Sequence, residues 1–150
     1  MDSEFGVPEN NISDEMPNSY TDTVIDHAMN PRNVGNIPNA NGYACVTGPC
    51  GDSMEIWLSI KDGKIREATF WTDGCGTTIA AGSIATEIVK GKAISKGFQI
   101  TQDDILNGLG GLPEESAHCA LLAANTLKDA LRDYIALKNE PWKRAYQNRR

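Results

Sequence analysis

The sequence has no apolar run that approaches the ~20 residues needed to span a bilayer, and its N-terminus lacks the charged-then-apolar pattern of a secretion signal. It also has no excess of positive charge, since 14 Lys and Arg stand against 20 Asp and Glu, for a net charge of −6. Phosphate binding needs a concentrated positive face, so neither nucleic acid nor a membrane is expected as a partner. The cytoplasm is the expected location.

The composition that remains is that of a single soluble domain. Of the 150 residues, 40% are hydrophobic and 23% are charged, which is enough to bury one core. Residues 1–18 are acidic, polar and without periodicity, and they predict a flexible tail. Residues 19–138 are expected to form the domain, and residues 139–150 a basic C-terminal tail.

The most regular pattern predicts a β-hairpin in "SMEIWLSIKDGKIREATFWT". Apolar residues alternate with polar ones from Met54 to Ile60, and Asp62-Gly63 suits a tight type I′ turn. The segment "GYACVTG" predicts a weaker strand before it. Together these strands predict a three-stranded antiparallel sheet.

Helical patterns dominate the rest of the chain. A short helix is expected after Ser19 or Thr21, with Asn30-Pro31 ending it. Further helices are predicted from Thr77 to Gly91, after Thr101, and in "EESAHCALLAANTLKDALRDYIALK". A sheet followed by helices without βαβ alternation predicts an α+β fold, a three-stranded antiparallel sheet packed with several helices. The apolar faces of these helices are expected to comprise Val24, Ile25, Ala28, Met29, Ile79, Ile84, Ile88, Val89, Leu121, Leu122, Leu127, Leu131, Ile135 and Leu137.

The four cysteines are scattered along the chain, at Cys45, Cys50, Cys75 and Cys119. Without a secretion signal, scattered cysteines more often ligate metal or do chemistry than form disulfides. Cys45 falls within a predicted strand, and a buried structural thiol is the expectation for it. The alternative for the other three is that they are unrelated buried thiols.

Three of the cysteines fall at predicted element ends that are rich in glycine. Cys50 and Asp52 lie in the turn before the hairpin, Cys75 lies in "DGCGTT" at a helix start, and Cys119 follows His118. A helix N-terminus stabilises a thiolate, so Cys75 and Cys119 are both expected to have lowered pKa values.

These residues supply five candidate ligands for a four-coordinate site. A carboxylate is a harder donor than a thiolate and is displaced more easily by an incoming thiol, so the set suits a site that releases its contents. Asp52 as a turn residue and His118 as a supporting hydrogen-bond partner are the alternatives.

The sequence resembles the iron–sulfur cluster assembly scaffold family of IscU and the NifU N-terminal domain. The resemblance extends from about Tyr20 to Leu137 and rests on "VIDHAMNPRNVG", "PCGDSMEIWLSIKDGKI", "FWTDGCGTTIAAGSIATEIVKGK" and "GLPEESAHCALLAANTLKDAL". It implies a scaffold, rather than an enzyme, on which a [2Fe–2S] cluster is built from Fe²⁺ and desulfurase-derived sulfur. The implied partners are a cysteine desulfurase of the IscS or NifS kind and apo iron–sulfur client proteins.

The resemblance also implies roles for individual residues. Cys50, Cys75 and Cys119 are the implied cluster ligands, with Asp52 or His118 as the fourth, and Cys119 is the implied acceptor of persulfide sulfur. Zn²⁺ is the implied alternative occupant, so a zinc-binding sulfur-acceptor or regulatory module is the second interpretation. A homodimer bridged by the cluster is compatible with this pattern, and the N-terminal helix with Val34 and Ile37 is the expected desulfurase-docking patch.

One segment departs from the family pattern. Scaffolds served by the dedicated Hsp70-type chaperone have Leu-Pro-Pro-Val-Lys before the His-Cys pair, whereas this chain has "LPEES" with Glu114, Glu115 and Ser116. The difference argues against chaperone-assisted release. A nucleophilic enzyme that uses Cys119 or Cys75 is a more distant alternative, because adjacent helical residues point about 100° apart and His118 would be poorly placed as a base for Cys119.

Overall fold

The computed structural model describes residues 20–143, which form one three-stranded sheet with five α-helices. The strands are β1 (Gly42–Thr47), β2 (Ser53–Lys61) and β3 (Lys64–Thr72); the helices are α1 (Asp22–Met29), α2 (Gly76–Val89), α3 (Ile94–Phe98), α4 (Gln102–Leu109) and α5 (Ala117–Asn139), with 3₁₀ turns at Glu114–Ser116 and Pro141–Lys143. The predicted α+β class is confirmed. The tail predicted for residues 1–18 and the end of the basic tail, residues 144–150, lie outside the described residues.

The sheet is antiparallel in the order β1-β2-β3, and the hairpin forms as its alternation predicts. Met54, Ile56, Leu58 and Ile60 are all buried on the face that the helices cover. Asp62 and Gly63 both adopt positive φ angles, 56° and 75°, as a type I′ turn requires.

Cys45 lies on the opposite face of this sheet and is exposed, so the expectation of a buried structural thiol is wrong. Cys45 pairs in register with Glu55 on β2, and Glu55 pairs in turn with Trp71 on β3. Strand residues alternate between faces, so the burial of Met54 and Ile56 places Glu55 and its partners on the outer side.

The long helix α5 packs against β1, β2, α2 and α4 and closes the core. Leu122, Leu127 and Leu131 are buried as predicted, but Leu121 and Ile135 are 44% and 37% exposed. Helix α2 buries mainly small residues, and its isoleucines Ile79, Ile84 and Ile88 are half-buried against the core. The Phe70 ring lies against Gly82 and leaves no room for a side chain there.

Thr21 is the N-cap residue of helix α1, and its side chain accepts a hydrogen bond from the Val24 N–H at 3.1 Å; Asn30 is the C-cap residue. The Thr21 hydroxyl also donates to the Leu109 carbonyl, which ties α1 to the end of α4. Val24 is buried, whereas Met29 is 64% exposed and does not join the predicted apolar stripe.

The segment after α1 covers the free edge of β3. Phe70 N–H donates to the Asn33 carbonyl at 2.9 Å, and Gly35 N–H donates to the Phe70 carbonyl at 3.0 Å. His27 on α1 is buried, with Nδ1 2.6 Å from the Ser83 hydroxyl of α2. These contacts hold α1 against α2.

The short helices between α2 and α5 differ in how well the sequence predicts them. Helix α4 follows Thr101, as predicted; Thr101 and Asp104 form a capping box, and Gly110 with φ 79° is the C-cap residue. Helix α3 was not predicted, because five residues are too few to show a periodicity. Within residues 20–143, no helix combines the length and the apolar character needed to cross a membrane.

Candidate metal centre

The turn between β1 and β2 presents Cys50 and Asp52 at the end of the sheet. Gly48 N–H donates to the Asp52 carbonyl at 2.8 Å, and Gly51 N–H donates to the Gly48 carbonyl at 3.0 Å. Gly51 has a φ of 95°, a conformation that side chains disfavour. The turn is therefore closed by its own backbone, with Cys50 exposed at its tip.

Hydrogen bonds join this turn to the loop that follows β3. Ser53 N–H donates to Asp73 Oδ1 at 2.8 Å, and the Thr72 hydroxyl donates to the Ser53 carbonyl at 2.6 Å. The Gly74 N–H then donates to the Thr72 hydroxyl at 3.1 Å. These bonds bring Cys75, the N-cap residue of α2, to the same end of the sheet as Asp52.

The first turn of α5 supplies His118 and Cys119 from the other side. His118 Nε2 lies 3.3 Å from the Cys50 sulfur and 3.8 Å from the Cys119 sulfur. The imidazole therefore reaches both sulfurs, although its helix position alone would direct it away from Cys119. Cys119 itself is only 2% exposed.

Two threonines of α2 connect the remaining groups, and sequence reasoning missed both. Thr77 Oγ1 lies 3.1 Å from the Cys75 sulfur and 3.4 Å from the Cys119 sulfur. Thr78 Oγ1 lies 3.3 Å from the Cys119 sulfur and donates to Asp52 Oδ2 at 3.1 Å. All five predicted site residues are thus linked through one network of side-chain contacts. The available signal was their position two and three residues after a cysteine that starts a helix.

The pKa of Cys75 is lowered, as its place at a helix N-terminus predicts. Burial acts to raise this pKa, but the Thr77 hydroxyl and the backbone N–H groups of Thr78 and Thr77 together outweigh it by stabilising the thiolate. Cys75 is also exposed, so a sulfur or metal donor can approach it from solvent.

The pKa of Cys119 is raised, so the expectation of a second lowered thiol is wrong. Burial is the largest cause, and the hydroxyls of Thr77 and Thr78 only partly offset it. The negative charges of Cys75 and Asp52 raise the pKa further. Cys119 is the third residue of α5, but removal from water outweighs the field of the helix N-terminus.

Cys45 takes no part in this network. Its pKa is raised by burial and by the carboxylates of Glu55 and Asp73, and its side chain points to the outer face of the sheet. Cys45 therefore offers a built-in control for the other three cysteines.

The site combines soft sulfur donors with a harder nitrogen and oxygen. Thiolates are the protein ligands of iron–sulfur clusters, and a carboxylate or imidazole holds such a metal less firmly. Within residues 20–143, no three His, Cys, Asp or Glu side chains already surround a single point closely enough to hold one metal ion. The donor set fits a cluster by its chemistry. His118 contacts Cys50 and Cys119 directly, whereas Cys75 and Asp52 are linked to Cys119 through Thr77 and Thr78.

Comparison with known proteins places this chain in a family. The sequence pattern of the NifU-like N terminal domain matches residues 19–141. Iron-sulfur cluster assembly scaffold protein IscU 1 of Archaeoglobus fulgidus is 47% identical over 117 residues, 77% of this chain and 76% of that protein. Escherichia coli (strain K12) scaffold protein IscU is 42% identical over 121 residues, 77% of this chain and 94% of that protein.

A solved structure shares the fold at low sequence identity. The NifU-like protein (N-terminal) from Brucella abortus superposes with a TM-score of 0.66 and 15% identity, over 77% of this chain and 94% of that one. At that identity the likeness concerns the fold alone, whereas the family rests on the sequence matches. The chain belongs to the NifU-like N-terminal domain family.

Proposed function

We propose that this protein is a scaffold on which a [2Fe–2S] cluster is assembled and from which it passes to apo iron–sulfur proteins. The names of its relatives support a scaffold rather than an enzyme. The observation that carries the proposal is the contact network that joins Cys50, Cys75 and Cys119 at one end of the sheet.

The three cysteines are the proposed cluster ligands, with Asp52 or His118 in the fourth place. Three thiolates would hold two irons, and the fourth position would be the weak one because its donor is an oxygen or a nitrogen. An incoming thiol from a client protein would displace that donor first. A fourth thiolate would instead favour a cluster that remains bound to the protein and is not transferred.

Sulfur would arrive as persulfide from a cysteine desulfurase, with Cys119 as the acceptor. The Cys119 thiolate attacks the outer persulfide sulfur, a new S–S bond forms on Cys119, and the desulfurase cysteine leaves as a thiolate. Reduction of that sulfur to sulfide takes two electrons, which an external electron-transfer protein must supply. Because Cys119 is 2% exposed, the proposal requires the desulfurase to open the site as it docks.

The exposed apolar side chains beside the site suit that docking. Met29 and Val34 are 64% and 54% exposed. They flank the end of α1, where Ala28 lies 3.6 Å from the position that a Cβ on Gly76 would take, next to Cys75. A desulfurase that covered Met29 and Val34 would thus reach the edge of the site.

The other partner predictions stay as predictions from the sequence. Glu114 and Glu115 are exposed in a 3₁₀ turn just before α5, and their acidic character still argues against the dedicated Hsp70-type chaperone. The cluster-bridged homodimer and the cytoplasmic location likewise remain expectations.

The deciding experiment is anaerobic reconstitution of the cluster in variants that each lack one cysteine. Cys50→Ser, Cys75→Ser and Cys119→Ser should each lose most of the visible absorption and the two bound irons per chain. Cys45→Ser is the matched control and should assemble the cluster as the parent does, because Cys45 lies on the outer face of the sheet. Tightly held zinc with no chromophore in the parent would favour the zinc-binding module instead.

A further inference from the structure

The Thr78 side chain lies at the centre of the contact network and is fully buried. Its hydroxyl donates to Asp52 Oδ2 at 3.1 Å, and the same oxygen lies 3.3 Å from the Cys119 sulfur and 3.8 Å from the Cys75 sulfur. A threonine hydroxyl has a single proton. Asp52 can only accept, so in the shortest of these contacts the hydroxyl donates to the carboxylate, and a thiolate at Cys119 or Cys75 would compete for the same proton.

Gly74 provides the space in which this bond forms. A Cβ placed on Gly74 would lie 2.7 Å from Thr78 Oγ1 and 2.8 Å from Asp52 Oδ2, closer than real side chains approach. The Gly74 backbone is itself fixed by its bond to the Thr72 hydroxyl. The hydrogen bond between Thr78 and Asp52 thus requires a residue without a side chain at position 74.

We propose that Thr78 is the positioning residue for Asp52. By holding Oδ2, the hydroxyl fixes the plane of the carboxylate and leaves Oδ1 for the metal. Groups that orient a metal ligand in this way typically change metal affinity by about 10- to 100-fold when they are removed. This inference rests on the proposed function only in taking Asp52 as a ligand.

Two substitutions separate the hydroxyl from the shape of the side chain. Thr78→Val keeps the branched shape and removes the hydroxyl, whereas Thr78→Ser keeps the hydroxyl and removes a methyl group. Thr126→Val is the matched control, because Thr126 is also fully buried but its hydroxyl donates to the Leu122 carbonyl within α5. A purely structural role would make Thr78→Val and Thr126→Val alike.

The test is an anaerobic titration of the metal-free protein with Co²⁺, followed by its visible spectrum. Thr78→Val should bind Co²⁺ about tenfold more weakly, with a spectrum like that of Asp52→Ala. Thr78→Ser should restore parental affinity to within about twofold, and Thr126→Val should match the parent. The double variant Asp52→Ala/Thr78→Val should bind no more weakly than Asp52→Ala alone.

Three results would overturn the inference. The first is a Co²⁺ affinity of Thr78→Val equal to that of the parent. The second is a Co²⁺ affinity of the double variant that is lowered by both single losses together. The third is failure of the parent to bind Co²⁺. If Thr78→Val does not fold, as judged by thermal unfolding, Gly74→Ala tests the same bond and should give the same loss and spectrum. Cluster assembly by the parent is measured separately. If the parent assembles a cluster but Thr78→Val binds Co²⁺ as the parent does, this inference is wrong and the proposed function still stands.

Discussion

His118 Nε2 lies 3.3 Å from the Cys50 sulfur, although the two residues are 68 positions apart in the sequence. The contact fastens the β1–β2 turn to the first turn of α5. Asp52 is instead tied through Thr78 to the sulfur of Cys119. Both candidates for the fourth ligand are linked to Cys119, His118 directly and Asp52 through Thr78, so each can be removed without breaking the other's contacts.

Asp52→Ala should lengthen the lifetime of an assembled cluster and slow its transfer several-fold. The fourth place would pass to His118, a softer donor that an incoming thiol displaces less readily. The half-time of transfer to apo-ferredoxin measures this effect, which concerns the rate of release rather than the affinity for a single ion. Asp129→Ala, which alters only a surface ion pair with Arg132, is the control. Equal half-times for Asp52→Ala and the parent would remove Asp52 from the release step.

Cys119→Ser should abolish persulfide formation by a desulfurase. Cys119 is the acceptor that the family resemblance implies, and its sulfur lies 3.4 Å from Thr77 Oγ1 and 3.3 Å from Thr78 Oγ1, within the network of proposed ligands. Mass spectrometry of alkylated peptides after incubation with desulfurase and cysteine gives the site directly. A persulfide on Cys50 or Cys75 of the parent would show that the acceptor assignment is wrong.

In the metal-free protein, the cysteines should react with N-ethylmaleimide at clearly different rates near neutral pH. Cys75 should react faster than Cys45, because both are exposed but the pKa of Cys75 is lowered and that of Cys45 is raised. Cys119 should be slowest, since it is buried and its pKa is raised. Peptide mapping over time measures the order, and labelling in denaturant, where the four rates should converge, is the control. Labelling of Cys119 as fast as Cys45 would contradict the buried site.

His27 should make folding stability depend on pH below about 6.5. Burial is the main cause that lowers the pKa of His27 from the ordinary value of 6.5. The positive charge of Arg32 lowers this pKa further, whereas the negative charges of Asp26 and Glu87 raise it. The Ser83 hydroxyl accepts from the Arg32 N–H, so it can donate its proton to a neutral His27.

The sign of this effect follows from proton binding. Below pH 6.5 His27 binds a proton in the unfolded chain but not in the folded protein. The contribution of neutral His27 to the free energy of unfolding is therefore complete above pH 6.5, and it is lost as the pH falls towards the lowered pKa of the folded state. Relative to His27→Gln, the free energy of unfolding should decline by up to about 1.4 kcal/mol per pH unit. Urea denaturation between about pH 5 and 7.5 measures it, and a constant difference between the two proteins would contradict the prediction.

The sheet was predictable because its signals are local. Alternation from Met54 to Ile60 fixes which face is buried, and Asp62-Gly63 fixes the turn. The same alternation in β1 could have placed Cys45 on the outer face of the sheet with Tyr43 and Thr47. The mixture of apolar and polar residues along β1 hides this periodicity. The close approach of the Phe70 ring to Gly82 in α2 is not visible in the helix sequence.

The convergence of the proposed ligands was predictable from the sequence, whereas the environment of each ligand was not. The spacing of Cys50, Cys75 and Cys119 at element ends indicated convergence, and the network confirms that they meet. The burial of Cys119 arises from packing against α2, so helix position alone gave the wrong direction for its pKa. Thr77 and Thr78 were missed because threonines in a first helical turn are common, and their position after Cys75 is a weak signal on its own.

Cluster transfer is the defining act of a scaffold. The most direct measurement follows the visible circular dichroism of the reconstituted protein mixed with apo-ferredoxin, with an iron chelator present to trap released metal. The ferredoxin spectrum should appear as the scaffold spectrum disappears, at one cluster gained for each cluster lost. A cluster that stays on the protein, or that reaches only the chelator, would show that this chain is not a scaffold.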